Sequence, residues 1–197
     1  MTGTTPRGLN IEDPGGFWFF AYGSLMWDPP FAAADVQPAR LYGYHRSFCV
    51  NSETYRGTPE NPGLSLGLDR GGSCIGVALR VDNSTRAAAI REIEAREMND
   101  DPIYICRRVR MHLPDGPVTG YTLVVNHADR IYAGKLGFEE TARRIAGSAG
   151  RRGPNIDYLA NTVARLDRME IAEGHLHYLL KRATEIRGDG GALAAGG

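Results

Sequence analysis

The 197-residue sequence has no excess of charge in either sign: 23 lysines and arginines balance 23 aspartates and glutamates. That balance removes the electrostatic footprint that duplex nucleic acid or an anionic membrane surface requires, so neither is expected as a partner. Cysteine is scarce. Cys49, Cys74 and Cys106 are odd in number, far apart and never spaced C-x-x-C, which argues against a disulfide framework or a thiolate metal site. Lying within or beside apolar runs, they are expected to be buried free thiols in a reducing compartment. No stretch approaches the roughly 20 apolar residues of a spanning helix. The N-terminus also lacks a basic segment ahead of a long apolar one, so a cytoplasmic location is expected. The five histidines show neither H-x-x-x-H nor H-E-x-x-H spacing, and no metal is expected. P-loop, G-x-G-x-x-G and G-x-S-x-G patterns are absent as well, which leaves phosphate, dinucleotide and serine-hydrolase chemistry without support.

What is present fits one domain of ordinary size. Residues 16–187 are expected to form it, between a flexible leader over 1–15 and a flexible Gly/Ala tail over 188–197. Short apolar runs broken by glycine dominate the first half: 17–22, 40–50, 64–68 and 74–81, each of strand length. A helix is expected from Asn83 or Ser84, as cap, to about Met98, with Ile90 and Ile93 at helical spacing. The runs 103–113 and 118–125 flank Pro114-Asp115-Gly116-Pro117 and predict a hairpin. Helical periods follow at 138–148, 154 or 155 to about 168, and 173–187. Strands early and helices late argue for an α+β fold with a mixed, barrel-like β-sheet and surrounding α-helices. The arginine clusters at 107–110, 143–144 and 151–152 read as solvated faces.

Four segments carry chemical interest. Phe19-Phe20-Ala21-Tyr22-Gly23-Ser24-Leu25 runs from an apolar strand into Gly-Ser, where successive amides can face a carboxylate or oxyanion; taken alone, a plain strand-to-loop turn is the preferred reading. The stiff loop Tyr55-Arg56-Gly57-Thr58-Pro59-Glu60-Asn61-Pro62-Gly63 offers Arg56 and Tyr55 for a substrate carboxylate, or is a surface connection. In Glu92-Ile93-Glu94-Ala95-Arg96-Glu97, residue Glu97 shares a helix face with Ile90 and Ile93. Apolar neighbours there would tune its carboxyl toward acid/base work, or Glu97 is a solvent-facing acid, as Glu92 and Glu94 read. In Gly153-Pro154-Asn155-Ile156-Asp157-Tyr158, a helix start explains the first residues, and Tyr158 is placed to reach a cleft.

In this order the segments resemble the ChaC family of glutathione-specific gamma-glutamylcyclotransferases. The resemblance rests on Tyr22-Gly23-Ser24-Leu25 with Met26-Trp27, on Arg56-Gly57-Thr58-Pro59 with Pro62-Gly63, and on Arg96-Glu97 followed by Tyr104. It continues through Gly153, Asn155, Asp157, Tyr158 and Leu159, and covers about residues 16 to 184. Tyr55 departs from it, since many members carry histidine there, and the spacer Asn99 to Ile103 is variable. The resemblance implies a gamma-glutamylcyclotransferase-like fold and a cofactor-free enzyme that releases 5-oxoproline and cysteinylglycine from glutathione. It implies Glu97 as catalytic acid/base, with Tyr22, Gly23, Ser24, Leu25, Arg56, Tyr104 and Tyr158 as substrate-binding residues. The same chemistry on other gamma-glutamyl amines, and a non-catalytic gamma-glutamyl-binding regulator, are the alternatives.

Overall fold

Phenylalanine and tryptophan fill Phe17–Ala21 (β1), where large flat side chains suit a pleated, buried strand, and all but Trp18 are buried. In the computed structural model, which describes residues 8–98 and 103–194, a 3-10 turn at Ser24–Met26 follows. Two long strands come next, Asp35–Ser52 (β2) and Gly63–Val81 (β3). Helix Arg86–Glu97 (α1) precedes the hairpin Tyr104–Leu113 (β4) and Gly116–Val125 (β5). The chain ends in Phe138–Gly147 (α2), the short pair Ala149–Gly150 (β6) and Gly153–Pro154 (β7), Asn155–Arg168 (α3) and Gly174–Ala194 (α4). Of the variable spacer Asn99 to Ile103, residues 99–102 lie outside the described residues.

Strands β1 to β5 close into a barrel in the order β1-β3-β2-β4-β5. The sheet is mixed, because β1 runs antiparallel to β3 but parallel to β5, with Phe19 opposite Tyr121. This is the expected α+β architecture with a barrel-like sheet. Closure leaves no long edge to be covered, and Phe20, Leu41, Leu68, Met111 and Val124 pack together as core. The trace divides into two compact units, Met1–Ser47 with Gly67–Asp129, and Phe48–Leu66 with Arg130–Gly197. In the second, α2, α3 and α4 bury Ile145, Leu159, Leu166, Leu176 and Ala183. Among the described residues no helix is long and apolar enough to cross a membrane.

Several expectations are corrected. The runs 64–68 and 74–81 are one strand, since Gly71 and Gly72, at φ +96° and +68°, turn the backbone sharply while β3 continues through them. Glycine there marks a bend, not an end. Helix α1 starts at Arg86 with Thr85 at the cap position and no side-chain cap. Its first turn is tied instead by the Arg86 guanidinium, which donates to the carbonyls of Asp13 and Ile11. The leader is therefore packed over part of 1–15: Leu9 and Ile11 are buried, and the Leu9 amide donates to Glu94 Oε1 at 2.8 Å. At the other end, α4 continues to Ala194 through the expected tail.

Cys49 and Cys74 are buried, but Cys106 is only half-buried; none of the three forms a disulfide among the described residues. Desolvation nevertheless pushes the Cys106 thiol up to about 11, and the thiolate is the reactive form. Iodoacetamide at about pH 8 is thus expected to leave the native protein unlabelled over a time that modifies all three thiols in denaturant. Rapid native labelling at Cys106, read by peptide mass spectrometry, would contradict this.

Candidate functional site

Where β1 ends, the chain must leave the sheet, and Gly23 takes φ −128°, ψ −138° to start the 3-10 turn. Leu25 and Met26 are buried and anchor it. Inside the turn, Met26 donates to the Gly23 carbonyl at 2.9 Å and Asp28 to that of Ser24 at 2.9 Å. The amides of Gly23, Ser24 and Leu25 find no acceptor among the described residues. Three consecutive donors left open at a turn are suited to a carboxylate or a developing oxyanion.

The turn is braced from below by Arg46 of β2, which is 2% exposed. Its Nε donates to the Tyr22 carbonyl at 2.6 Å and its Nη2 to the Ile75 carbonyl at 2.8 Å. A buried guanidinium is retained only when its donors are satisfied, so Arg46 and the Tyr22 carbonyl fix each other. Sequence reasoning missed Arg46. Its signal was strand parity, since 46, 48 and 50 alternate together and Phe48 and Val50 are core.

Helix α1 brings Arg96 and Glu97 to the same unit as this turn. Ile93 is fully buried, and the Glu97 side chain is 20% exposed. Ile90, Ile93 and Glu97 thus share the inward face, as expected. The structure adds a neighbour that periodicity did not: Arg96 Nε lies 3.4 Å from Glu97 Oε1, and a positive charge acts on a carboxylate in the opposite sense to desolvation. The same guanidinium reaches Ser24 Oγ at 3.1 Å and Asp28 by its carbonyl at 2.5 Å and its carboxylate at 3.2 Å. Glu94 is not the solvated charge expected, since it holds Leu9. Tyr104 opens β4, half-buried, opposite Val125.

Arg56 and Tyr158 belong to the second unit, where the guanidinium sits 5.2 Å from the ring centroid. Arg56 Nη1 donates to the carbonyls of Arg152 and Pro154 at 2.6 and 3.3 Å, and burial, reinforced by Arg152, lowers its pKa. Tyr158 also meets Phe48 edge-on at 5.8 Å. The turn at 151–152 docks on the same loop: the Arg151 and Arg152 amides donate to the Thr54 and Tyr55 carbonyls, and Arg152 lies over the Tyr55 ring at 4.5 Å. Arg144 is no solvated face either. It donates to Asn51 Oδ1 at 2.6 Å and to the carbonyls of Pro62 and Gly63, and burial lowers its pKa. Fully buried Asn155 exchanges both hydrogen bonds with the Leu64 backbone, at 2.7 and 2.8 Å, as a neighbouring strand would.

Among the described residues no group of three or more His, Cys, Asp or Glu is arranged to hold a metal ion. The arrangement in the first unit can move a proton at Glu97 and receive negative charge at the turn amides.

Comparison with known proteins follows the same residues. A family model described as ChaC-like protein matches residues 17–186. The chain is 31% identical over 175 residues to a glutathione-specific gamma-glutamylcyclotransferase of Escherichia coli, covering 88% of this chain and 75% of the relative. It is 31% identical to glutathione-specific gamma-glutamylcyclotransferase 1 of Homo sapiens, covering 76% of this chain and 69% of that one. The crystal structure of a yeast gamma-glutamylcyclotransferase specific to glutathione superposes with a TM-score of 0.76 at 23% identity, over 88% of this chain and 97% of that one. That likeness is one of fold.

Proposed function

The chain belongs to the ChaC-like family, and from that membership we propose that it is a cofactor-free, glutathione-specific gamma-glutamylcyclotransferase working in the cytoplasm, with Glu97 as its acid/base. The observation that carries the reading is the placement of the Glu97 carboxylate on a helix end tied, through Arg96, to a turn with three open amides.

The substrate brings both reactants. The α-amine of the gamma-glutamyl group reaches its own gamma-carbonyl and closes a five-membered ring, so no external nucleophile is needed. Glu97 takes the proton from the ammonium, and the freed amine attacks the gamma-carbonyl carbon. The amides of Gly23, Ser24 and Leu25 receive the charge that develops on oxygen. As the C–N bond to cysteine breaks, Glu97 passes this proton to the leaving nitrogen; it then takes the second proton from the ring nitrogen, which leaves the neutral lactam, and gives it up to the released amine, which ends as the ammonium. The products are 5-oxoproline and cysteinylglycine, and the enzyme ends as it began. Tyr22 and Tyr104 are read as flanking contacts of this site.

The test is mass-spectrometric detection of 5-oxoproline and cysteinylglycine from the purified protein with reduced glutathione, beside gamma-glutamyl-alanine. Product from glutathione alone supports the reading. Product only from gamma-glutamyl-alanine replaces it with a cyclotransferase for other gamma-glutamyl amines, and product from neither favours a gamma-glutamyl-binding protein.

A further inference from the structure

The acid/base reading uses the Glu97 carboxylate and the turn amides but gives no work to the guanidinium between them. Arg96 makes four polar contacts: Nε with Glu97 Oε1 at 3.4 Å, Nη2 with Ser24 Oγ at 3.1 Å, and Nη1 with the Asp28 carbonyl and carboxylate at 2.5 and 3.2 Å. We propose that Arg96 is a positioning residue, which sets the Glu97 carboxylate at a fixed distance from the Gly23–Leu25 amides by bridging the end of α1 to the turn. The inference rests on the reading of Glu97 as acid/base.

Glu97 is the last residue of α1, and a helix end frays within its last turn unless something outside holds it. Residues that follow one another on a helix point in different directions, so an ordinary exposed Arg96 would have no reason to meet Glu97. Here the planar fork spends one edge on the carboxylate and the other on the turn. Only arginine offers donors in that fixed geometry; a lysine ammonium is a single point of charge on a flexible stem. Because Ser24 Oγ accepts from Arg96, its own proton remains available to donate to a bound substrate. An isolated exposed ion pair with Asp28 would contribute little. Contacts to a backbone carbonyl, a hydroxyl and the Glu97 carboxylate make the guanidinium a spacer.

The experiment compares Arg96→Gln, Arg96→Lys, Glu97→Gln and the double variant R96Q/E97Q in steady-state turnover and thermal unfolding. In R96Q, kcat is expected to fall about 10- to 100-fold, the scale of a misplaced catalytic group, with KM within about threefold and the melting temperature within a few degrees. R96K is expected to recover little, because one ammonium cannot serve both edges. The double variant is expected to be no slower than E97Q alone, since Arg96 acts through that carboxylate. Normal kcat in R96Q, a loss confined to KM, or multiplied losses in the double variant would overturn the proposal. If R96Q is unfolded, R96K carries the test, and wild-type kcat there overturns it. Normal turnover in E97Q would instead defeat the acid/base reading itself.

Discussion

Glutamine in place of Glu97 is expected to lower kcat for 5-oxoproline release by about 10²- to 10⁴-fold, the usual range for removal of a general acid/base group. Glutamine keeps the length and the acceptor oxygen that faces Arg96, so the contact to the turn survives while proton transfer does not. Ring closure needs a neutral amine and a protonated leaving nitrogen at successive moments. A carboxylate serves both by cycling between its two forms, and an amide cannot. KM is expected to change little, because the open amides and the aromatic contacts are untouched. Folding is expected to be preserved as well, since Glu97 is partly exposed and glutamine keeps its size and its acceptor oxygen. Continuous product detection with a parallel melting curve reads all three quantities. A folded variant with near-normal turnover would remove Glu97 from the mechanism.

The second large effect concerns stability. Alanine at position 63 would put its Cβ 2.2 Å from the Arg56 carbonyl oxygen, and alanine at 57 would put it 2.0 Å from the Gly63 nitrogen. Both partners are backbone, and both are held. Arg144 donates to the Gly63 carbonyl, Asn155 grips Leu64, and Arg56 is bonded to Ser52 and to the 152–154 carbonyls. The loop cannot step aside without giving up several of these bonds, which places the substitution at the severe end of overpacking. Gly63→Ala is expected to cost about 3 kcal/mol or more, which is roughly 6–12 °C in melting temperature for a chain of this size. Gly147→Ala is the control. It ends α2 with nothing within 4 Å of its Cβ, and is expected to be neutral or to stabilise by up to about 1 kcal/mol. Equal melting temperatures for the two variants would refute the locked-loop account.

The glycines of Arg56-Gly57-Thr58-Pro59-Glu60-Asn61-Pro62-Gly63 thus have a packing reason that composition alone did not reveal. Stiffness was legible from the prolines; the mutual approach of 57 and 63 required a folded loop. The same division runs through the chain. The β4–β5 hairpin and helices α2 and α3 were legible because their signals are local: a turn dipeptide between apolar runs, and apolar residues at helical spacing. What escaped depends on partners distant in sequence. Arg46 reaches across 24 residues to Tyr22, and Arg144 across 93 to Asn51. Strand parity gives the inward face of Arg46 but not its partner, and Arg144 does not differ from a surface residue in its immediate neighbourhood. Glu94 likewise reads as solvated until Leu9, 85 residues earlier, is laid beside it. At the candidate site, the residue types and their order were legible, while the bridge made by Arg96 was not, because adjacency on a helix argues against it.

The N-terminal contacts of α1 have an evolutionary side. The helix that carries Glu97 is sewn at Arg86 and again at Glu94 to the stretch 9–13, ahead of the residues 17–186 that define the family match. Substitutions in 9–13 can therefore stiffen or loosen the helix of the proposed acid/base from outside the matched segment. Two relatives with identical motifs can then differ in turnover for reasons written before the motifs begin.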